Sequence, residues 1–439
     1  MQPLEQLLAR LDAGAPRRET LNRYYRGDQP LAFLAPEART AIGNRFSRMA
    51  VNIPRVAVTA LAERLRVTGF TIDGQFASTL WTDWLANDLD QLAPVAHREA
   101  LTIGEAFVIV WADATGRPLV TVESAEQVAV LRDPATRAVT AAVKRWTTGP
   151  LDAPTGTDAV LYLPDRIDRL HSDAVGATSG FTLAESLPNP LGVVPVVPLR
   201  NSDRLMGPPA SELDDLIPLV DAQNKILSDL MVASEYAGRP RRWATGVELE
   251  EDEAGNPVNP YPENNRMMLS EAPDSRFGQL DAADLASYES AVKVLTSQIM
   301  AVSALPEHYI GVLSNQPASA DALRAAEASL TARAEARQAT FGRSWEQVAR
   351  LMHAVRTGTD PAALDVRVSW ADPSTRSVAQ EADAVVKLYT AGLLPSTYAL
   401  ARLGYSTDEI EAIRQARRAE ALDQLATSLP DLLNRGTNA

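Results

Sequence analysis

The chain has 439 residues, 46% hydrophobic and 22% charged, a balance that describes folded protein with room for about two to four domains. It has no cysteine, which excludes disulfides, thiol catalysis and cysteine-ligated metals. The formal net charge of -14 argues against a protein that grips nucleic acid over its whole surface, because tight binding rests on many Lys and Arg contacts to phosphate, while a loose, gliding contact with DNA stays open.

No stretch reaches the roughly 20 apolar residues that cross a bilayer, and the opening MQPLEQLLARLDAG lacks a signal-peptide layout. The expectation is a protein of the cytoplasm or of something assembled there, with no membrane partner. The first hundred residues read as mostly helical: residues 3 to 13, a segment opened by Pro36, then Asn52 to Val67, broken at Gly69. From about 105 to 200 the period changes. FVIVW, PLVTVES, QVAVLRD, VTAAVKRW, AVLYLP and VVPVVPL are short β-rich runs separated by turn formers, which predicts an α+β class with antiparallel strands.

Ser211 with Asp214 three residues on resembles a capping box, and a helix is predicted from there to Tyr236, ended by Gly238 and Pro240. Its apolar stripe is Leu219, Val220, Ile226, Leu227, Leu230 and Met231. Residues 239 to 282 form a small turn-rich insert with a basic opening and an acidic middle. A second rod runs from Asp284 to Ala304, where Leu285, Tyr288, Val292, Leu295, Ile299 and Val302 alternate by three and four as a helix-packing seam. Two rods with a small domain between them suggest a stalk with a tip.

Between Ala304 and Leu330 the chain reads ALPEHYIGVLSNQPASADALRAAEASL: a proline stop, a dozen aromatic, glycine and amide residues, and then a helix that continues to Thr357. A buried loop of that composition would strand backbone donors and acceptors, so it should face solvent or a partner. Phe341, Trp345, Val348, Met352 and Val355 form one face of the long helix. A strand, LDVRVSW, follows, and the end is helical, with a capping box at Ser406 and Glu409 before a helix to about Thr427.

Signs of catalysis are sparse. The four histidines, 97, 171, 308 and 353, make no local metal motif, and His97 on an amphipathic segment reads as structural. Dinucleotide, phosphate-loop and nucleophile-elbow signatures are missing, so no cofactor and no metal are expected. Adjacent carboxylates, Asp214 with Asp215 and Glu250 with Glu251, read as solvated faces. The RPRR run at 239 to 242 suits phosphate or a neighbouring subunit.

The segments YYRGDQPLAFLAPEAR, NIPRVAVTALAERLRVTGF, LWTDWLANDLD, HREALTIGEAFVIVW, SELDDLIPLVDAQNKILSDLMVASEYAGRPRRWATG, SALPEHYIG and AQEADAVVKLYTAGLLPSTYALARLGYS, in this order, resemble portal proteins of long-tailed bacteriophages with actinobacterial hosts, over nearly the whole chain. The resemblance implies a mainly helical α+β portal fold and a ring, usually of twelve subunits, at one capsid vertex. It places a wing at 1–207, stem helices at 208–238 and 283–304, a clip at 239–282, a channel loop at 305–317, the wing's long helix and strand at 318–372 and a crown at 373–439. It implies a virion protein, assembled in the host cytoplasm, that is not an enzyme. Its implied partners are further copies of itself, the major capsid protein, the terminase large subunit, a head–tail adaptor and duplex DNA in the channel. Glu307, His308, Tyr309, Asn315 and Gln316 would line that channel, and Arg239, Arg241, Arg242 and Trp243 would make clip contacts. The competing readings are a carboxylate-dependent hydrolase or nuclease, and another capsid-associated structural protein.

Overall fold

The computed structural model describes residues 3–30, 51–150, 152–202, 204–238, 242–246, 250–251, 254, 256–258, 273–279, 285–311, 320–374, 378–405 and 409–420. The chain parts into two compact units, Met1–Pro373 and Ser374–Ala439.

The first unit opens with helices α1 (Pro3–Ala13), α2 (Ala15–Arg26) and α3 (Ile53–Ala62). The third is shorter than its sequence predicts, because Val67 already starts strand β1 (Val67–Ile72), which hairpins into β2 (Gln75–Phe76). Two helices follow, α4 (Ser78–Ala86) and α5 (Leu89–Ile103). The β-rich stretch then holds β3 (Glu105–Ala112), β4 (Pro118–Ser124), β5 (Val128–Arg132), β6 (Val139–Thr148), β7 (Gly156–Tyr162), β8 (Arg166–Ser172), β9 (Thr182–Pro188) and β10 (Val196–Arg200). Strands β5 to β9 form one sheet in sequence order, and β10, β3 and β4 form another. Every described strand pair in this region is antiparallel.

The two strands that hydrophobic patterning missed, β8 and β9, are polar. TLAESLP is the edge strand of the sheet and RIDRLHS lies next to it, paired on both sides; here backbone pairing and charged cross-strand contacts such as Arg169–Glu185 at 3.2 Å replace apolar alternation. The inner part of the same sheet is apolar. Leu7, Leu8 and Leu11 of α1 pack on Ala129, Ala141, Val143, Ala159 and Leu161, and Arg145 pairs with Asp12 at 2.5 Å at the margin.

Beyond β10 the chain turns sharply at residues 212–216, and helix α6 runs from Ile217 to Gly238. The predicted start at Ser211 is six residues early. The capping-box chemistry is nevertheless present: Asp214 accepts from the Ser211 backbone N–H at 2.8 Å, and Ser211 Oγ accepts from the Leu213 N–H at 3.0 Å. It closes the turn because Ser211 Oγ also donates to the Thr102 carbonyl, tying this segment to the end of α5. Gly104, at φ +106°, ends α5 there, and a Cβ on it would sit 3.0 Å from the Pro209 backbone, so a side chain is excluded twice.

The insert after α6 contains β11 (Arg242–Thr245), β12 (Glu250–Glu251), β13 (Pro257–Val258) and β14 (Arg276–Gln279), paired β11 with β14 and β12 with β13. Helix α7 (Ala286–Ser303), a 3-10 turn (Glu307–Tyr309) and helix α8 (Ala320–Thr357) follow. At 38 residues, α8 is about 57 Å long. Strand β15 (Val366–Trp370) then returns to pair with β1, joining positions some three hundred residues apart.

The main core lies where α8 crosses α3, α4, α5 and the β10–β3–β4 sheet. Its centre is aromatic. Trp345 meets Trp84 edge-on at 5.0 Å, Phe341 stacks on His97 at 5.4 Å, and Trp345 Nε1 donates to His97 Nε2 at 2.7 Å. Complete burial holds the His97 pKa down at about 3, so the imidazole is neutral and acts as an acceptor inside the core. The second unit contains α9 (Val378–Thr390) and α10 (Ser396–Arg402), which pack on each other, and residues 409–420 are helical. The predicted Ser406 cap and Thr427 end lie outside the described residues, as does the Pro36 segment.

Candidate functional site

Two regions bear on the sequence-predicted sites: the paired helices α6 and α7, and the loop that leaves α7. Between the helices the contact is only partly apolar. Val220 and Ile299 are fully buried. Gln223 and Thr296 are buried there too, with Gln223 Nε2 donating to Thr296 Oγ1 at 3.1 Å, while the buried Ser228 and Ser303 hydroxyls donate to carbonyls of their own helices and Asn224 Oδ1 accepts from the Val51 N–H at 3.2 Å. Of the predicted seam, Leu285, Tyr288, Val292 and Leu295 are half-buried, Ile299 is buried and Val302 is exposed. The buried residues on α7 are Thr296, Ile299 and Ser303. An α-helix advances 3.6 residues per turn, so a strict 3.5-residue seam drifts off the contact line, and Ser303 takes the place of Val302.

That drift leaves apolar side chains without cover. Ile226, Leu227 and Leu230 of α6 are only half-buried, Met231 is 38% exposed, and Val294 on the outer face of α7 is 58% exposed. Val294 lies in a shallow groove with Lys293, Ser297, Gln298 and Ala301.

The loop is anchored at its base. Ala304 takes a left-handed conformation, φ +58°, at the end of α7, and Leu305 and Pro306 are buried behind it. The 3-10 turn then presents three of the predicted channel residues. Glu307 is exposed, whereas His308 and Tyr309 turn to neighbours on other elements. His308 Nε2 lies 3.2 Å from Glu327 Oε1 on α8, and Arg64 reaches Tyr309 Oη at 3.4 Å. Arg64 and Glu327, with side chains 7% and 9% exposed, pair at 3.1 Å. Burial pulls the Arg64 pKa down, but its hydrogen bonds to Tyr309 and Glu327 outweigh that and the net direction is upward. Arg64 also donates to the Pro373 carbonyl at 2.6 Å.

Six residues beyond Glu327 along α8, Arg333 donates to the Val302 carbonyl at 2.9 Å, completing the C-terminal turn of α7. Arg333 and Arg337 converge on Glu212, at 3.4 and 2.7 Å. Sequence reasoning missed Arg64, Glu212 and Glu327. On an Ala-, Arg- and Glu-rich helix, Glu327 carries no sign of burial, and its partner Arg64 lies more than 250 positions upstream.

Asn315, Gln316, Arg239 and Arg241 lie outside the described residues. Arg242 begins β11, opposite Gln279 on β14. Trp243 pairs across the ladder with Gly278 and its ring lies over that glycine, so close that a Cβ there would be 2.5 Å from it. The ring is 44% exposed. Among the described residues, no helix is long and apolar enough to cross a membrane.

A sequence model of one family, described as phage portal protein, SPP1 Gp6-like, matches residues 4–423. The chain belongs to this phage portal protein family. Its function is that of a portal protein, and its α+β architecture is a portal fold. Portal proteins of Mycobacterium phages L5 and D29 are each 32% identical to it, over 395 and 408 residues, covering 84% of this chain and 79% of each relative. Among solved structures, a chain of the virion of a native gene transfer agent particle aligns with TM-score 0.44 at 12% identity, covering 86% of this chain and 96% of that one. A chain from the neck of the same kind of particle, computed with C12 symmetry, aligns with TM-score 0.43 at 13% identity and the same coverage.

Proposed function

We propose that copies of this portal-family chain close into a ring, of twelve subunits as the resemblance implies, at one vertex of the capsid, and that DNA enters and leaves through its centre. The observation that carries the ring is the state of α6 and α7: a pair joined through a buried glutamine–threonine hydrogen bond while leaving Leu227, Leu230, Met231 and Val294 partly in water is short of packing partners. Further copies of the same rods supply them, side by side around an axis.

In this reading 1–207 with 318–372 form the wing, 208–238 and 283–304 the stem, 239–282 the clip, 305–317 the channel loop and 373–439 the crown. Glu307, Asn315 and Gln316 face the duplex, and His308 and Tyr309 hold the loop's base to α8 and Arg64. An acidic chain of net charge -14 suits a conduit, since a wall that bound phosphate tightly would stall the duplex in both directions. The clip, with Arg239, Arg241, Arg242 and Trp243, docks the terminase large subunit during packaging and the head–tail adaptor afterwards, and the wing meets the major capsid protein. The protein resides in the virion and catalyses nothing itself, the work of translocation falling to the terminase.

Electron micrographs of the purified protein viewed down its axis test this reading. Annular particles with a central hole wide enough for duplex DNA are expected, and compact monomers under all conditions contradict it. Incubation with DNA and divalent metal tests the absence of catalysis: turnover abolished by specific carboxylate substitutions would make the chain a nuclease.

A further inference from the structure

Away from the stem and loop, at the junction of the two β-sheets, the chain gathers positive charge that it does not neutralise. Arg132 ends β5 where the ladder to β6 slips register. Among the described residues its guanidinium has neither an ion-pair nor a hydrogen-bond partner, and its Nε is cut off from water. Arg200 ends β10 across the ladder from Glu105, but its Nε stands 3.9 Å from the Glu105 carboxylate, too far for a hydrogen bond, so both atoms are buried and unsatisfied. Arg10 of α1 reaches the same edge and donates to the Val130 carbonyl at 3.0 Å. Arg137 sits at φ +61° in the turn that joins β5 to β6. The carboxylate next to Arg132 in sequence does not help, since Asp133 accepts from the Ala135 and Thr136 N–H groups and the Thr136 hydroxyl of its own turn.

Arg132, Arg200, Arg10 and Arg137, with Arg18 also drawing on Glu105, are an unfavourable grouping for a chain alone. Burial lowers the Arg132 pKa, and the neighbouring Arg200 charge lowers it further, which Glu105 only partly offsets. A half-buried guanidinium without a partner costs stability unless an anion arrives to take its hydrogen bonds. In a ring, the abundant anions beside each copy are the carboxylates of the next one, 56 acidic against 42 basic residues per chain. A carboxylate matches the planar fork of arginine in a two-point contact.

We propose that Arg132, with Arg200, Arg10 and Arg137 around it, is a carboxylate-binding site completed by an acidic side chain of a neighbouring copy. This inference rests on the ring reading above. Its occupant closes a second contact between copies, far in sequence from the stem.

The test uses full-length rings assembled without DNA from equal amounts of ¹⁵N-labelled and unlabelled Arg137→Lys chain, treated with a carbodiimide that joins amines to carboxylates at zero length. Peptides cross-linked at position 137 and carrying one labelled and one unlabelled half are expected. Rings that yield no link at 137, or links only within one copy, overturn the inference and leave the ring reading intact. A ring-free preparation of the unmodified chain overturns both. The neutral variant Arg132→Met supplies a second readout. Because Arg132 is unpaired within the chain, the melting temperature of the dissociated chain should not fall, while the salt concentration that half-dissociates the ring should drop by about half. An unchanged dissociation midpoint overturns the proposal, as does retention of a DNA oligonucleotide that is lost in Arg132→Met, which would assign the cluster to phosphate.

Discussion

The core under α8 and the rod pair α6–α7 are both helix packings of one chain, and they solve opposite problems. Under α8 the central aromatic side chains find cover: Trp84, Phe341 and Trp345 are fully buried, and even His97 has its acceptor used by Trp345 Nε1. Between the rods the contact is short, polar at its centre and apolar outside. The difference teaches that one region is complete in a single copy and the other is not. Substitutions in the first should therefore lower the stability of each chain, and those in the second should act mainly on assembly.

The largest loss of chain stability is expected from Trp345→Ala, which removes a fully buried indole, its edge contact to Trp84 and the hydrogen bond to His97. A cost of about 3–5 kcal/mol in urea unfolding follows. Close behind is Arg64→Met, which removes the buried ion pair to Glu327 and the contact to Tyr309, at about 3 kcal/mol. Because Arg64 also holds the loop's base, limited proteolysis between 305 and 319 should accelerate in this variant. Unchanged cleavage there would detach the loop from the Arg64–Glu327 pair.

An intermediate effect depends on pH. The His97 pKa is about 3 in the folded chain and about 6.5 when unfolded. Below 6.5 the unfolded chain takes up a proton that the folded chain refuses, so stability is full above that pH and falls as pH drops towards 3. Near pH 5 the loss is about 2 kcal/mol. In His97→Phe, which also fills the aromatic cluster, this slope should flatten, as read by unfolding midpoints at pH 7 and pH 5. An unaltered slope would place the acid sensitivity elsewhere. The smallest effect on the chain itself is expected from Val294→Asp: an exposed position changes stability by about 0.5 kcal/mol or less. Native mass spectrometry should nevertheless show rings replaced by monomers, and intact rings would break the contrast between the two regions.

Much of this architecture can be read from residue order alone. Short β-rich apolar runs such as FVIVW and VTAAVKRW announce β3 and β6, and the three-and-four spacing of Phe341, Trp345, Val348 and Met352 announces the buried face of α8. What escaped reading is polar. Strands β8 and β9, the edge strand and its neighbour, are held by backbone pairing and charged cross-strand contacts, and helix α6 begins at Ile217 because its capping motif serves a turn tied to Thr102. The loop was legible as a proline-stopped interruption between helices, but its anchors were not, since Arg64 and Glu327 become partners only through the packing of α3 and α8. The same holds for the rods: heptad spacing finds the seam, whereas which turn drifts off it depends on where the partner helix ends.

The claim that the rods are finished only by neighbouring copies is tested most directly by labelling. The chain has no cysteine, so Val294→Cys introduces a single thiol on the uncovered face of α7. The account predicts rapid maleimide labelling of the dissociated chain and strong protection of the same position in assembled rings. Equal labelling rates in the two states would contradict it.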